Sequence, residues 1–271
     1  MIHNDKNVAI TGSTGILGRH IVSLLHDAGY HVHAFKGDIT CQDDVNAWLY
    51  TIDKIDSLVH LAACVSTKAV SHDPLHAYRV NVGGTLNLLH GLALSEHCPW
   101  MFYASSSHVY QSQDKPIDES GAVEPVSLYG KTKYMGEQIC LDASETNNHG
   151  LTVCSGRIFS FYDPQQLPPF FYPTMVERLA TEDLSQPFEL WGADSTRDFL
   201  TAQQVCQYII KLMEVRAQGV VNIASGKAVK IRDFVQSMSS VPLEIIPKGE
   251  DSHLLANIGK LTSLLHQEQL S

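Results

Sequence analysis

Asn7-Val8-Ala9-Ile10-Thr11-Gly12-Ser13-Thr14-Gly15-Ile16-Leu17-Gly18 is the stretch that decides how the chain is read. A short apolar strand runs into glycines at 12, 15 and 18. A helical pattern follows at once, with Ile16, Leu17, Ile21, Leu24 and Leu25 on one face and Gly29 as its stop. Gly12 permits a tight strand-to-helix turn, Gly15 lets the backbone approach a pyrophosphate, and Gly18 lets the helix close onto the strand. The helix N-terminus adds N–H groups and the positive end of its dipole. A strand, this spacing and a helix together predict a dinucleotide site at Gly12, Thr14, Gly15, Ile16 and Leu17.

Outward from this loop, strands over 30–35, 57–63, 100–105 and 151–159 alternate with helices over 42–50, 74–94 and 127–143. That alternation predicts an α/β fold: a Rossmann-type doubly wound parallel sheet over residues 1–160. Residues 161–271 read as a small C-terminal α/β substrate lobe, partly interleaved with the core. There, DPQQLPPFFYP at 163–173 excludes regular helix and reads as a lid or an inter-lobe strap. A strand is expected at 188–191, and a capping box at Thr201 and Gln204. Short strands over 219–224 and 241–247 flank a helix at 231–239. After the second strand, Phe35-Lys36-Gly37-Asp38-Ile39 faces the adenosine end. Lys36 favours a 2′-phosphate, whereas Asp38 suits a ribose or an adenine amino group, so the expected cofactor is NAD or NADP.

The 271 residues are 44% hydrophobic and 18% charged, which excludes a disordered or low-complexity chain. Acids outnumber bases 29 to 19, a net charge of −10 with no Lys/Arg run, so neither a nucleic acid nor a membrane is an expected partner. No apolar run approaches the roughly 20 residues of a membrane helix. The N-terminal MIHNDKNVAITG carries charge into a strand, unlike a signal peptide. Six cysteines at irregular spacing, without a C-x-x-C pair, read as reduced and mostly buried thiols of a cytoplasmic protein. Fourteen histidines, including the pairs His31/His33 and His20/His26, lack Cys or carboxylate partners at ligand spacing, so no metal is expected. The G-x-S-x-G hydrolase elbow is absent.

Two further segments carry chemistry. Ser105-Ser106-Ser107-His108-Val109-Tyr110 follows the fourth strand, and Tyr129-Gly130-Lys131-Thr132-Lys133 opens a helix. Tyr129 and Lys133 are four apart and share a helix face. An ammonium beside a phenol stabilises the phenolate. A drop of about 3 pKa units, worth roughly 4 kcal/mol, would let Tyr129 exchange a proton at neutral pH. A strand-end serine would hydrogen-bond the same substrate oxygen.

With TGSTGILG at 11–18, HLAA at 60–63, NVGGTLNLL at 81–89, SSSHVY, YGKTK and Arg197-Asp198-Phe199, the chain resembles the extended short-chain dehydrogenase/reductase family along nearly its whole length. That family comprises NAD(P)-dependent sugar-nucleotide epimerases, dehydratases and reductases. The resemblance implies Ser106, Tyr129 and Lys133 as the catalytic set, with Ser105 and Ser107 the alternatives for the serine. It implies that Leu61, Ala62, Ala63 and Asn81, with Ile39, Tyr129 and Lys133, line the cofactor. Arg197 would contact the substrate diphosphate, its plain alternative being a salt bridge to Asp198. Lys248 would stand where a second phosphate-contacting Arg is expected, and Ser107, His108 and Ser160 would face the substrate. His108 occupies the place of an extra acid/base Cys in epimerising reductases. Ser107-His108 replaces the Asp-Glu pair of the dehydratases, which disfavours dehydration. Ser160-Phe161-Tyr162-Asp163-Pro164 departs from the usual N-x-Y-G-P.

The resulting expectation is hydride transfer between NAD(P) and a nucleoside-diphosphate sugar by a homodimer whose helices 74–94 and 127–143 pair. The compact chain and the short loop after the second strand favour a 4-ketoreductase of a 4-keto-6-deoxy sugar. The alternatives are a sugar-nucleotide 4-epimerase and a non-catalytic NAD(P)-binding sensor.

Overall fold

The computed structural model describes residues 6–95, 97, 99–146 and 150–266. In chain order it contains β1 (Asn7–Thr11), α1 (Ile16–Asp27), β2 (His31–Ala34), α2 (Gln42–Tyr50), β3 (Ser57–His60), α3 (Thr67–His72), α4 (Pro74–Tyr78), α5 (Gly84–Leu94), β4 (Trp100–Ser106) and α6 (Leu128–Thr146). Then follow β5 (Thr152–Ile158), β6 (Ser160–Tyr162), α7 (Phe171–Thr181), β7 (Phe188–Trp191), β8 (Thr196–Thr201), α8 (Ala202–Glu214), β9 (Gly219–Ile223), β10 (Ala228–Lys230), α9 (Ile231–Met238), β11 (Ile245–Lys248) and α10 (Gly259–His266).

Six parallel strands form the central sheet in the order β2-β1-β3-β4-β5-β9. Alternation along each strand sends apolar side chains to both faces. Val8, Ile10 and Phe102 pack with Ile21, Leu25, Val205 and Ile209 of α1 and α8. Ala9, Leu58 and Met101 pack with Val45, Leu49, Leu88 and Leu92 of α2 and α5. Helices on both faces make the sheet doubly wound. The strand order reverses at β1, between β2 and β3, so the crevice beyond the C-terminal ends of β1 and β3 is the fold's natural ligand site.

Three local expectations are corrected. The strand at 219–224, read as part of the smaller lobe, lies in the central sheet: β9 pairs with β5, and α8 before it packs on α1. The chain beyond 160 is therefore shared between the core and outlying layers, the latter being the sheets β10-β8-β6 and β11-β7 with α7 and α9. The helix over 74–94 is instead α4, a π-helical turn at Arg79–Gly83, and α5, preceded by the unforeseen α3. Ser66 caps α3, and Asp73 caps α4 with Pro74 just inside it, where a missing N–H costs nothing. In the proline-rich segment, helix α7 begins at Phe171, so Pro173 lies in its first turn, whose N–H groups have no intrahelical partner. The Thr201/Gln204 capping box is present as expected. The five described cysteines are free, three of them buried, and Cys98 lies outside the described residues.

One buried ion pair fastens α6 to the sheet. Glu137 is fully buried, and Arg157 of β5 donates to it through Nη2 at 2.6 Å and Nε at 3.1 Å. Ser155 adds a hydrogen bond of 2.9 Å to the same carboxylate. Arg157 also donates to the Glu119 carbonyl and lies 4.6 Å from the Tyr110 ring centroid. Glu137→Ala would strand a buried guanidinium, so a loss of about 3–5 kcal/mol in urea unfolding is expected. Replacing both partners by Met should recover most of it. A cost below about 1 kcal/mol for Glu137→Ala would show that the pair does not hold the helix.

Candidate active site

The glycine loop sits at the reversal point of the sheet. Gly12 has φ +74°, and a Cβ there would stand 2.6 Å from the Ala62 nitrogen, so the left-handed turn and the contact with the segment after β3 both require glycine. A Cβ at Gly18 would strike the Gly12 carbonyl, which explains its role in closing α1 onto β1. Gly15 is different: a Cβ there meets only the Gly12 oxygen, at an ordinary 3.4 Å. Nothing in the protein demands a glycine at 15, whereas an approaching pyrophosphate does. Gly15 is also the N-cap of α1 and, having no side chain, supplies no capping bond to the helix's free N–H groups.

Beside the loop lies a cleft of about 390 Å³ lined by Gly12, Ser13, Thr14, Phe35, Lys36, Gly37, Asp38, Ile39 and Ala62. The N-terminus of α1, the glycine-bearing loop and this cleft fit the pyrophosphate and adenosine half of a dinucleotide. Lys36 and Asp38 are exposed there and Ile39 is buried. Asp38 Oδ1 accepts from the Thr40 N–H and hydroxyl, both at 2.9 Å, which holds its carboxyl below the usual range. Leu61, Ala62 and Ala63 follow β3. The Leu61 N–H donates to the Thr11 carbonyl and the Ala62 N–H to Thr11 Oγ1, each at 3.2 Å.

Asn81, expected to face the cofactor, spends its amide on the protein. Its Oδ1 accepts from the Cys64 N–H at 2.7 Å, and its Nδ2 donates to the Cys64 carbonyl at 3.0 Å and to Thr132 Oγ1 at 2.9 Å. The π-helical turn thereby ties the segment after β3 to α6.

Ser106 closes β4 and Tyr129 opens α6. The Ser106 hydroxyl lies within hydrogen-bonding reach of Tyr129, and its Oγ accepts from the His108 N–H at 3.2 Å. Of the two alternatives, Ser105 Oγ is buried without a partner among the described residues, and buried Ser107 turns into a single 3₁₀ turn. In the protein alone, Lys133 is not among the influences on the Tyr129 phenol. Burial pushes the Tyr129 phenol up to about 12, against the pull of Ser106. The Lys133 ammonium instead lies 4.3 Å from the Tyr103 ring centroid, and burial pulls it down to about 8, opposed by Cys140 and Glu137. Desolvation is the largest influence on the Tyr129 phenol, because a buried phenolate loses its hydration.

His108 is exposed on the same side, its ring edge-on to Tyr129 with centroids 5.5 Å apart. Packing around the ring, then the Arg197 charge, lowers its pKa below the ordinary histidine value. Arg197 donates to the Ser252 carbonyl at 2.6 Å, to Ser252 Oγ at 2.8 Å and to the Thr196 carbonyl at 2.9 Å. Its alternative partner Asp198 instead accepts from Ser225 and Gly226. Among the described residues Arg197 is thus a half-buried cation with no carboxylate, the condition of a site waiting for an anion. Ser160, half-buried in β6, stands opposite Phe199 in the pairing of β6 with β8. The Lys248 ammonium pairs with Glu189 at 3.0 Å, both side chains partly exposed.

Sequence reading missed Thr11, His60, Thr85 and Thr132, which join these parts through buried hydrogen bonds, and Glu137. The last carried a signal, since it lies four residues beyond Lys133 on the same helix face. Among the described residues no helix is long and apolar enough to cross a membrane, and no group of three His, Cys, Asp or Glu side chains is placed to hold a metal.

Comparison with known proteins identifies the family and the fold. GDP-6-deoxy-D-mannose reductase of Pseudomonas aeruginosa is 27% identical over 89% of this chain and 83% of its own. UDP-glucose 4-epimerase of Azospirillum brasilense is 24% identical over 90% and 79%. The structure of RMD from Pseudomonas aeruginosa complexed with NADPH superposes with a TM-score of 0.85 at 24% identity, covering 96% of this chain and 92% of that one. A family model matches residues 8–224, from the first strand to the end of the central sheet, and the chain belongs to the NAD dependent epimerase/dehydratase family.

Proposed function

We propose that this chain is an NAD(P)-dependent 4-ketoreductase of a 4-keto-6-deoxy nucleoside-diphosphate sugar. The observation that carries the reading is the meeting of Ser106, Tyr129 and His108 beside Arg197, a half-buried cation without a carboxylate partner. Gly12, Thr14, Gly15, Ile16 and Leu17 would hold the cofactor pyrophosphate, and Asp38 and Ile39 the adenine side. When bound, the dinucleotide supplies hydride chemistry at the sugar carbon.

This chain's own residues then have separable tasks. Tyr129, protonated up to about 12, is a proton donor at neutral pH, the direction a carbonyl reduction needs. Ser106 hydrogen-bonds the same oxygen as charge develops. Lys133 holds a positive charge one helical turn away and would hold the cofactor ribose. Arg197 receives the diphosphate, and neutral His108 lines the sugar side. The similarity to a GDP-6-deoxy-D-mannose reductase and the short link from β2 to α2 support reduction over epimerisation. We also read the protein as cytoplasmic and homodimeric. Its described thiols are free, and Leu86 of α5 and Met135 of α6 are 49% and 44% exposed without an intramolecular cover.

A panel of 4-keto and 4-hydroxy sugar nucleotides tests the reaction. Net loss of NAD(P)H with a keto sugar is expected; isomer exchange without net loss would make the chain an epimerase, and tight cofactor binding without turnover a sensor. Tyr129→Phe should cost about 10²- to 10⁴-fold in kcat, and unchanged activity would remove Tyr129 from the chemistry. Because Lys133 is depressed to about 8, kcat/KM should fall as pH rises through that value and the ammonium is lost. A profile flat well above it would deny the charge a role. Leu86→Glu with Met135→Glu should give a monomer in light scattering if α5 and α6 form the dimer face.

A further inference from the structure

Three buried side chains link the cofactor loop to the backbone carbonyl of Asn81. Thr11 Oγ1 lies 2.6 Å from His60 Nδ1, His60 Nε2 lies 3.0 Å from Thr85 Oγ1, and Thr85 Oγ1 donates to the Asn81 carbonyl at 2.8 Å. Thr11 and Thr85 are fully buried, Asn81 is 1% and His60 2% exposed. The direction of every proton follows by elimination. Thr85 has one hydroxyl hydrogen, and it goes to the Asn81 carbonyl. Toward His60, Thr85 can therefore only accept, so the imidazole carries its hydrogen on Nε2. A neutral imidazole protonated on Nε2 accepts on Nδ1, so the Thr11 hydroxyl donates to it. The Thr11 oxygen in turn accepts from the Ala62 N–H at 3.2 Å.

The neutral form is the one that fits. A doubly protonated ring would aim a donor at Thr11, which would then have to receive hydrogens from both Ala62 and the ring and leave its own without a partner. The charged and titratable neighbours point the same way: the Lys133 ammonium repels a cation at His60, and the Tyr103 ring lies 5.8 Å away, centroid to centroid. Burial first and Lys133 second pull the His60 pKa down to about 3.

We propose that His60 is a positioning residue, fixed as the Nε2–H tautomer, whose one-way hydrogen-bond chain from Ala62 to Asn81 sets the cofactor-lining segment against the catalytic helix. The chain starts at Ala62 beside the glycine loop. It ends on the residue whose side-chain amide grips both Cys64 and Thr132, and Thr132 is one turn from Tyr129 and next to Lys133. The inference rests on the reading of Tyr129 as proton donor only for its kinetic consequence; the tautomer and the linkage stand without it.

Two measurements on the full-length protein test it. In ¹⁵N-histidine spectra, the signal lost in His60→Gln should show a neutral Nε2–H ring that does not titrate between about pH 5 and 8. An Nδ1–H pattern, or titration in that range, overturns the assignment. In kinetics, Thr85→Val removes the central hydroxyl while keeping the shape, and Thr85→Ser keeps the hydroxyl. Thr85→Val should lower kcat by about 10- to 100-fold, the scale of a small misplacement of reacting groups, with the sugar-nucleotide KM little changed. Thr85→Ser should restore kcat. A Thr85→Val enzyme that loses thermal stability but keeps kcat and cofactor KM would reduce the chain to a structural role and overturn the coupling. If Tyr129→Phe proves harmless, the catalytic reading fails while the spectroscopic result is unaffected, so the two failures are distinguishable.

Discussion

The site depends on one saturated amide. Asn81 has two N–H groups and a carbonyl oxygen in its side chain, and partners on Cys64 and Thr132 use them all. Cys64 lies just after β3, on the segment that continues from Ala62 at the cleft, and Thr132 lies on α6, which carries Tyr129 in its first turn. These two parts are distant in sequence and have no strand pairing to fix them to each other. A buried amide left with an unpaired group would cost about 1–3 kcal/mol, so the arrangement is favoured as a whole or not at all. The π-helical turn at Arg79–Gly83 serves this constraint. An inserted residue in a helix changes which side chain faces inward, and Asn81 is at its centre.

A second fixed point lies on the far side of α6. The helix carries Tyr129, Lys133 and Glu137 at successive turns. The last is tied to Arg157 in the sheet, and Gly136 leaves room for the Tyr103 hydroxyl beneath. Asn81 thus sets the first turn of α6, and Glu137 sets the third. Between them Lys133 is confined above the Tyr103 ring. Its ammonium loses more by burial than it gains from neighbours, which is why it is held near 8. The acidic chain, at −10 overall, still keeps positive charge without a carboxylate partner, among the described residues, at Arg197.

Much of this was legible in the sequence because it is local. The glycines at 12, 15 and 18 act through backbone geometry within one turn, and Thr201 and Gln204 cap their own helix. Tyr129 and Lys133 share a face by spacing alone. The serine triplet was ambiguous for the opposite reason. Three adjacent hydroxyls differ only in which neighbour each reaches across the fold, and only Ser106 reaches Tyr129. The surroundings of Lys248 and Lys133 were hidden for a related reason. A charged side chain's role depends on its competing partners, and Glu189 and the Tyr103 ring are remote in the chain.

By itself the sequence determined the βα alternation, the glycine loop and the order of the serine and Tyr129–Lys133 segments, since periodicity, turn chemistry and short spacings are written within a few residues of one another. Only the tertiary structure decided that β9 completes the central sheet, that Arg197 bonds Ser252 rather than Asp198, and that His60 joins a line of hydrogen bonds from Ala62 to Asn81. The physical reason is that strand partners, desolvation and the direction of a buried proton are properties of atoms brought together from far along the chain. Burial gives those contacts their energy, and no local pattern encodes which groups will share it.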